Sequence, residues 1–147
     1  MTAIGDKVAV LARDWLGTPY RHQAAVKGIG SDCLGLVRGL WAEAYACDLP
    51  MTPPYSQDWA ETGRDEVLRI ALEQMLIARP LGSAGSGDVL LFRVKSGALA
   101  KHLGVQSAVG AQPRFIHAYW GHGVVESPLS PPWARRIVAR FAFPEVE

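Results

Sequence analysis

At 147 residues the chain is long enough for a core of its own, and one domain spanning residues 1–147 is the expected organisation. Apolar residues make up 49% and charged residues 20%, the balance of a soluble globular chain, and a net charge of +1 offers no electrostatic footprint for nucleic acid. Apolar runs fall far short of a membrane span. Met1–Lys7 lacks a basic stretch followed by an apolar one, so no secretory signal is read there and synthesis in the cytoplasm is expected.

In chain order, Ile4, Val8, Leu11 and Trp15 recur at spacings of four, three and four, which predicts an amphipathic helix over residues 3–15. Gly17-Thr18-Pro19 stops it, and residues 17–32, with Gly17, Gly28 and Gly30, read as a loop. A second helix is expected from about Cys33 to Ala46, with Leu36, Val37, Leu40, Trp41 and Ala44 on one face and Asp32 at its N-cap. Pro50, Pro53 and Pro54 mark an irregular surface stretch, and a third helix is expected from about Arg64 to Ile77. After Gly82–Gly87 the pattern turns extended. Strands are predicted at Asp88–Val94, Lys101–Gln106, Arg114–Tyr119, Gly123–Glu126 and Arg136–Phe143, the fourth pairing with the third across Gly121-His122-Gly123 and the last closing the sheet. Helices followed by short strands imply an α+β domain with N-terminal helices on a five- to six-stranded antiparallel sheet.

The two cysteines, Cys33 and Cys47, would sit about 14 residues and roughly 21 Å apart on one helix. A disulfide needs Cα atoms within about 7 Å. Cys33 is therefore expected to be a free thiol, and Cys47 a small buried hydrophobe. Cys33 lies where a Gly-containing loop becomes a helix, and a helix N-terminus is expected to lower a thiol pKa. On strands, alternate residues share a face, so His102 and His117 can meet if their strands are neighbours. On the sheet face that receives the N-terminus of the Cys33 helix, His102 would act as base toward the thiol. His117 would hydrogen-bond the far nitrogen of His102 and fix its tautomer. The same thiol and two imidazoles also form a possible zinc set, although no close Cys-x-x-Cys or His-x-x-x-His spacing accompanies them. His22 and His122 read as loop residues and Asp88 as a structural residue at a strand start. Trp15, Trp41, Trp59, Trp120 and Trp133 read as core or interface anchors, with Trp120 and Trp133 candidates to line a groove. Pro50–Trp59 and Pro128–Trp133 are candidate docking surfaces by composition.

Five short elements in order carry a resemblance: Gly17-Thr18-Pro19-Tyr20, Asp32-Cys33-Leu34-Gly35, Gly87-Asp88-Val89, His102-Leu103-Gly104-Val105 and Ile116-His117-Ala118. Over roughly residues 8–128 the chain resembles the NlpC/P60 superfamily of papain-like cysteine peptidases that cut bacterial cell-wall peptides. The resemblance implies a papain-like (NlpC-type) fold, with Cys33 as nucleophile, His102 as base and His117 as the orienting third residue. It also implies that Tyr20 shapes the oxyanion site and that Asp32 meets a substrate amine. Two positions depart from the common pattern: Leu34 stands where many relatives have Ser, and the loop from Tyr20 to Cys33 differs from the usual Gly-Gly form.

The implied reaction is amide hydrolysis through a thioester, without metal or cofactor, typically between D-glutamate (through its γ-carboxyl) and diaminopimelate. Tyr20-Arg21-His22-Gln23 with Asp-Cys-Leu-Gly is similar to small peptidases encoded with phage tails and gene transfer agents. That similarity implies tail-hub or baseplate partners and delivery to the cell wall or periplasm by a particle, with no membrane insertion. The alternative it leaves open is a structural tail-tip component whose activity is vestigial or masked. Papain-like relatives also include lipid acyltransferases, which carry an apolar membrane-facing segment not found in this sequence.

Overall fold

Among the described residues strand alternation builds a six-stranded sheet in the order Ile77–Arg79, Ile137–Ala142, Val89–Arg93, Ala100–Ala108, Arg114–Tyr119 and Gly123–Pro128, every neighbouring pair antiparallel. The computed structural model describes residues 3–47, 67–93 and 100–145. Its elements are α1 (Ala3–Arg13), β1 (Ala25–Val26), β2 (Gly30–Ser31), α2 (Cys33–Tyr45), α3 (Val67–Met75), β3 (Ile77–Arg79), β4 (Val89–Arg93), β5 (Ala100–Ala108), β6 (Arg114–Tyr119), β7 (Gly123–Pro128), α4 (Pro131–Ala134) and β8 (Ile137–Ala142). The α+β class and the antiparallel sheet match the expectation. The predicted start of the third helix at Arg64, the Pro50–Trp59 stretch and Trp59 lie outside the described residues. Among the described residues no helix is long and apolar enough to cross a membrane.

The sheet is covered on both faces. Helices α1 and α2 cover one: Ile4, Val8, Trp15, Leu36 and Leu40 pack with Leu91, Leu103, Val105, Ile116, Ala118 and Phe141 in the main core. Leu90, Phe92, Phe115 and Leu129 form a second, smaller core on the opposite face, closed by Trp133 and Ile137. Asp88, Gln106 and Arg140 are buried together. The Arg140 guanidinium donates to Asp88 Oδ2 at 2.9 Å and to Gln106 Oε1 at 2.7 Å, so the buried cation is paired and hydrogen-bonded. Asp88 is thus the structural residue its strand-start position suggested.

Five local readings are corrected. Helix α1 ends at Arg13, because Asp14 and Trp15 bond back to Leu11 and Ala12 in a tighter turn; Trp15 is nonetheless buried. Ile77 belongs to a strand rather than to the third helix. It pairs with Ala142 as the chain extends toward Pro80, which cannot continue a helix. The loop of residues 17–32 contains the β1–β2 hairpin, and β8 lies between β3 and β4 instead of closing an edge. Cys47 is exposed rather than buried: α2 is terminated by Ala46 at φ 57°, which turns the chain out of the helix. Both cysteines are free thiols, as the spacing predicted.

Candidate active site

The chain before α2 is folded so that Cys33 becomes its first residue. Pro19, Tyr20 and Arg21 run parallel to Ser31: the Ser31 amide donates to the Pro19 carbonyl at 2.9 Å and the Arg21 amide to the Ser31 carbonyl at 3.1 Å. Asp32 is the N-cap, as expected, and its carboxylate accepts from the Gly35 amide at 2.7 Å and the Gln23 amide at 2.6 Å. One side chain thereby ties the loop to the first turn of the helix. His22 Nδ1 lies 3.7 Å from the same carboxylate. The Tyr20 hydroxyl is close enough to Cys33 and Asp32 to feel both. Burial, then those two acidic groups, push its pKa up to about 12.

The histidines come from neighbouring strands, on the face turned away from α1 and α2. His102 is paired with Phe92 and shares its face, whereas Leu103 and Val105 enter the helix-side core. This corrects the expectation that the histidines share the helix-bearing face. The thiol instead reaches the His102 strand where the sheet opens. Pairing of β5 with β6 runs through Val105↔Ile116, Gln106↔Phe115 and Ala108↔Arg114 and does not extend to Leu103. Gln106 bonds toward β4, so by alternation the Leu103 amide points toward β6. There it donates to the Cys33 thiol, one residue along from His102.

Across the same opening, His102 Nε2 meets His117 Nδ1 at 2.8 Å, and His117 Nε2 meets Ser127 Oγ at 3.0 Å. The Trp133 ring covers both imidazoles, with centroids 5.8 Å from His102 and 5.3 Å from His117, and Tyr119 stacks on His117 at 5.1 Å. His122 stacks in turn on Tyr119 at 5.2 Å. Neither the Ser127 contact nor the Trp133 cover was read from the sequence. A zinc ion would need both imidazoles aimed at it at about 2 Å, but the facing nitrogens are hydrogen-bonded to each other.

Electrostatically, burial favours the neutral forms of the thiol and both imidazoles. Burial, then the Asp32 carboxylate, push the Cys33 thiol up to about 12, outweighing the amides of Leu103, Leu34 and Cys33 that favour the thiolate. This reverses the expectation of a thiol lowered by the helix terminus, because loss of water at this site exceeds the helix-end effect. Burial, then His117, bring His102 down to about 3, and burial, then His122, bring His117 down to about 4. The folded pKa values of both histidines lie below the unfolded value, so the unfolded chain binds protons that the folded one refuses. Stability is therefore complete above about pH 6.5 and falls as pH drops toward 4. For His117, which is fully buried, the loss should reach about 2 kcal/mol by pH 5. Urea unfolding at pH 7.5 and pH 5.0 should show this loss in wild type, and a smaller one in His117→Gln. Equal pH slopes in the two proteins would contradict it.

A cavity of about 520 Å³ lined by Pro19, Tyr20, Trp120, Gly121, His122 and Gly123 opens beside Tyr20. Trp120 is 75% exposed on its rim. The structure thus brings Cys33, Tyr20 and Asp32 together on one side and His102 and His117 on the other, with the Leu103 amide joining the halves. Of the two tryptophans read as groove candidates, Trp120 lines this cavity and Trp133 covers the histidines.

The NlpC/P60 family model matches residues 17–141. Among solved structures, the NlpC/p60 domain of the peptidoglycan hydrolase SagA is 20% identical, with a TM-score of 0.65 over 95% of this chain and 98% of that one. NlpC2 from Trichomonas vaginalis is 20% identical at a TM-score of 0.65, covering 97% of this chain and 48% of that one. A lipoprotein-like NLP/P60 protein from Staphylococcus aureus is 19% identical at a TM-score of 0.63, covering 99% and 43%. The chain spans less than half the length of the latter two. At these identities the likeness establishes the fold. No curated protein sequence matches the chain.

Proposed function

The chain belongs to the NlpC/P60 family, and from that membership together with the site we propose that it is a cysteine peptidase hydrolysing amide bonds in bacterial peptidoglycan stem peptides. The observation that carries the reading is the opening between β5 and β6, where the Cys33 thiol accepts from the amide that follows His102 while His102 Nε2 is engaged by His117. This leaves His102 Nδ1 as the nitrogen available to the thiol.

In the proposed reaction His102 takes the thiol proton as Cys33 attacks the substrate carbonyl. The oxyanion is held by the Cys33 amide, at the positive end of the helix, and by the Tyr20 hydroxyl, which its raised pKa keeps protonated. The His102 imidazolium then protonates the departing amine, and water activated by the neutral imidazole releases the acyl group from its thioester. Asp32 offers a carboxylate next to the nucleophile for a substrate amine. Trp133 and Tyr119 shield the histidine pair from water, which strengthens its hydrogen bond.

In its finer form the proposal names the bond between D-glutamate, through its γ-carboxyl, and diaminopimelate. It also places the enzyme in a phage-like particle, docked on tail-hub or baseplate proteins and acting on the wall. The support for the bond is the family's usual substrate, and the support for the particle is the similarity of Tyr20–Gln23 and Asp32–Gly35 to tail-encoded peptidases. A synthetic stem peptide containing that bond, incubated with the protein and followed by mass, tests the substrate. Fragments from cleavage after the D-γ-glutamyl residue are expected. Cleavage elsewhere would replace the bond, and an intact peptide alongside undigested sacculi would remove the peptidase reading in favour of a structural tail-tip role.

A further inference from the structure

Both nitrogens of the His117 ring are engaged, Nδ1 with His102 Nε2 and Nε2 with Ser127 Oγ. A neutral imidazole has one donor and one acceptor, so the direction of one bond dictates the other. For His102 to accept the thiol proton at Nδ1, its Nε2 must carry hydrogen and donate to His117 Nδ1. His117 then holds its own hydrogen on Nε2 and donates to Ser127 Oγ. In the reverse direction Ser127 donates to His117 Nε2, His117 donates from Nδ1, and the hydrogen of His102 moves to Nδ1, where it blocks the base. Once His102 is an imidazolium both its nitrogens are donors, and only the first direction survives.

We propose that Ser127 is a positioning residue whose hydroxyl, as acceptor for His117 Nε2–H, selects the tautomer that keeps His102 Nδ1 free. The inference rests on the reading of Cys33 and His102 given above. Three observations support it. His117 is fully buried, so an N–H without a partner there is penalised. Its ring is flanked by Phe115 at 4.2 Å, Tyr119 at 5.1 Å and Trp133 at 5.3 Å, so the hydroxyl is the polar contact at that nitrogen. Ser127 sits directly opposite Phe115 on β7, one diagonal step from His117, where the register of two ordered strands holds it.

Ser127→Ala and Ser127→Thr in the full chain test this. The Ala variant is expected to lower both kcat on stem peptide and the alkylation rate of Cys33 by iodoacetamide about tenfold, with KM unchanged. The Thr variant, which keeps the hydroxyl, should restore both. The ¹⁵N spectrum of the wild-type histidines should show His117 protonated on Nε2, and the Ala variant should show a mixture of tautomers. A folded Ala variant alkylating and turning over at the wild-type rate would overturn the proposal, as would a wild-type His117 protonated on Nδ1 or a Thr variant no better than Ala. If the wild-type protein cleaves no peptide, the alkylation and ¹⁵N readouts still decide the role of Ser127, and the peptidase reading alone falls.

Discussion

His102→Gln is expected to reduce kcat/KM on stem peptide about a thousandfold or more while leaving the fold intact. Two functions are lost together: removal of the thiol proton and return of a proton to the departing amine. General acid–base assistance alone contributes about 10²–10⁴, and members of a catalytic unit fail together rather than additively. Burial, which favours the neutral thiol, makes the dependence stronger here. Burial pushes the Cys33 thiol up, so its attack depends on the imidazole taking the proton. Gln suits the site because it keeps a polar side chain beside Phe92 and Trp133 and can still meet His117. Steady-state hydrolysis with a parallel melting curve checks the result. Activity within tenfold of wild type would show that another group deprotonates the thiol.

Gly35→Ala is expected to lower stability by about 3 kcal/mol, roughly 10 °C in melting temperature for a chain of this size. A Cβ on Gly35 would lie 1.8 Å from the Ala24 carbonyl oxygen and 3.0 Å from Asp32 Oδ1. Backbone stands on one side and the N-cap carboxylate on the other, so a methyl group has no flexible side chain to push aside. The Ala24 carbonyl also accepts from the Asp32 amide, so moving it loosens the turn that delivers Cys33. Thermal unfolding measures the effect, and Cys33 alkylation in the folded variant reads the displacement of the thiol. An unchanged melting temperature would mean that the 21–24 turn does not sit over the start of α2.

Much of this site could be read from residue order. Asp32 announced the helix start it caps, and Cys33 followed it as the first helical residue. The spacing of the later apolar runs gave strands whose pairing across Gly121-His122-Gly123 is the observed β6–β7 hairpin. What alternation could not decide is which face the histidines occupy. It separates His102 from Leu103, but this sheet is apolar on both sides, with Phe92 and Phe115 beside the histidines and Leu103 and Ile116 opposite. Hydrophobicity therefore does not say where the helices lie. Nor does it show that β5 and β6 part at Leu103, a feature of how the two strands pair in the assembled sheet.

Ser127 was within reach of a register argument, since the hairpin turn places it opposite Phe115 and diagonal to His117. Trp133 was not, because a four-residue helix after β7 had to fold it back over the histidines. The sign of the thiol shift was missed for a related reason. A helix terminus is visible in sequence, whereas the depth at which a thiol is buried depends on the assembled core.

Digestion of purified sacculi by wild type and by Cys33→Ala, with products identified by mass, tests the central claim most directly. Peptide fragments released by wild type and absent with a folded Cys33→Ala are the predicted result. Equal release by both proteins, or no release by wild type while its Cys33 alkylates readily, would contradict Cys33 as the nucleophile of a cell-wall peptidase.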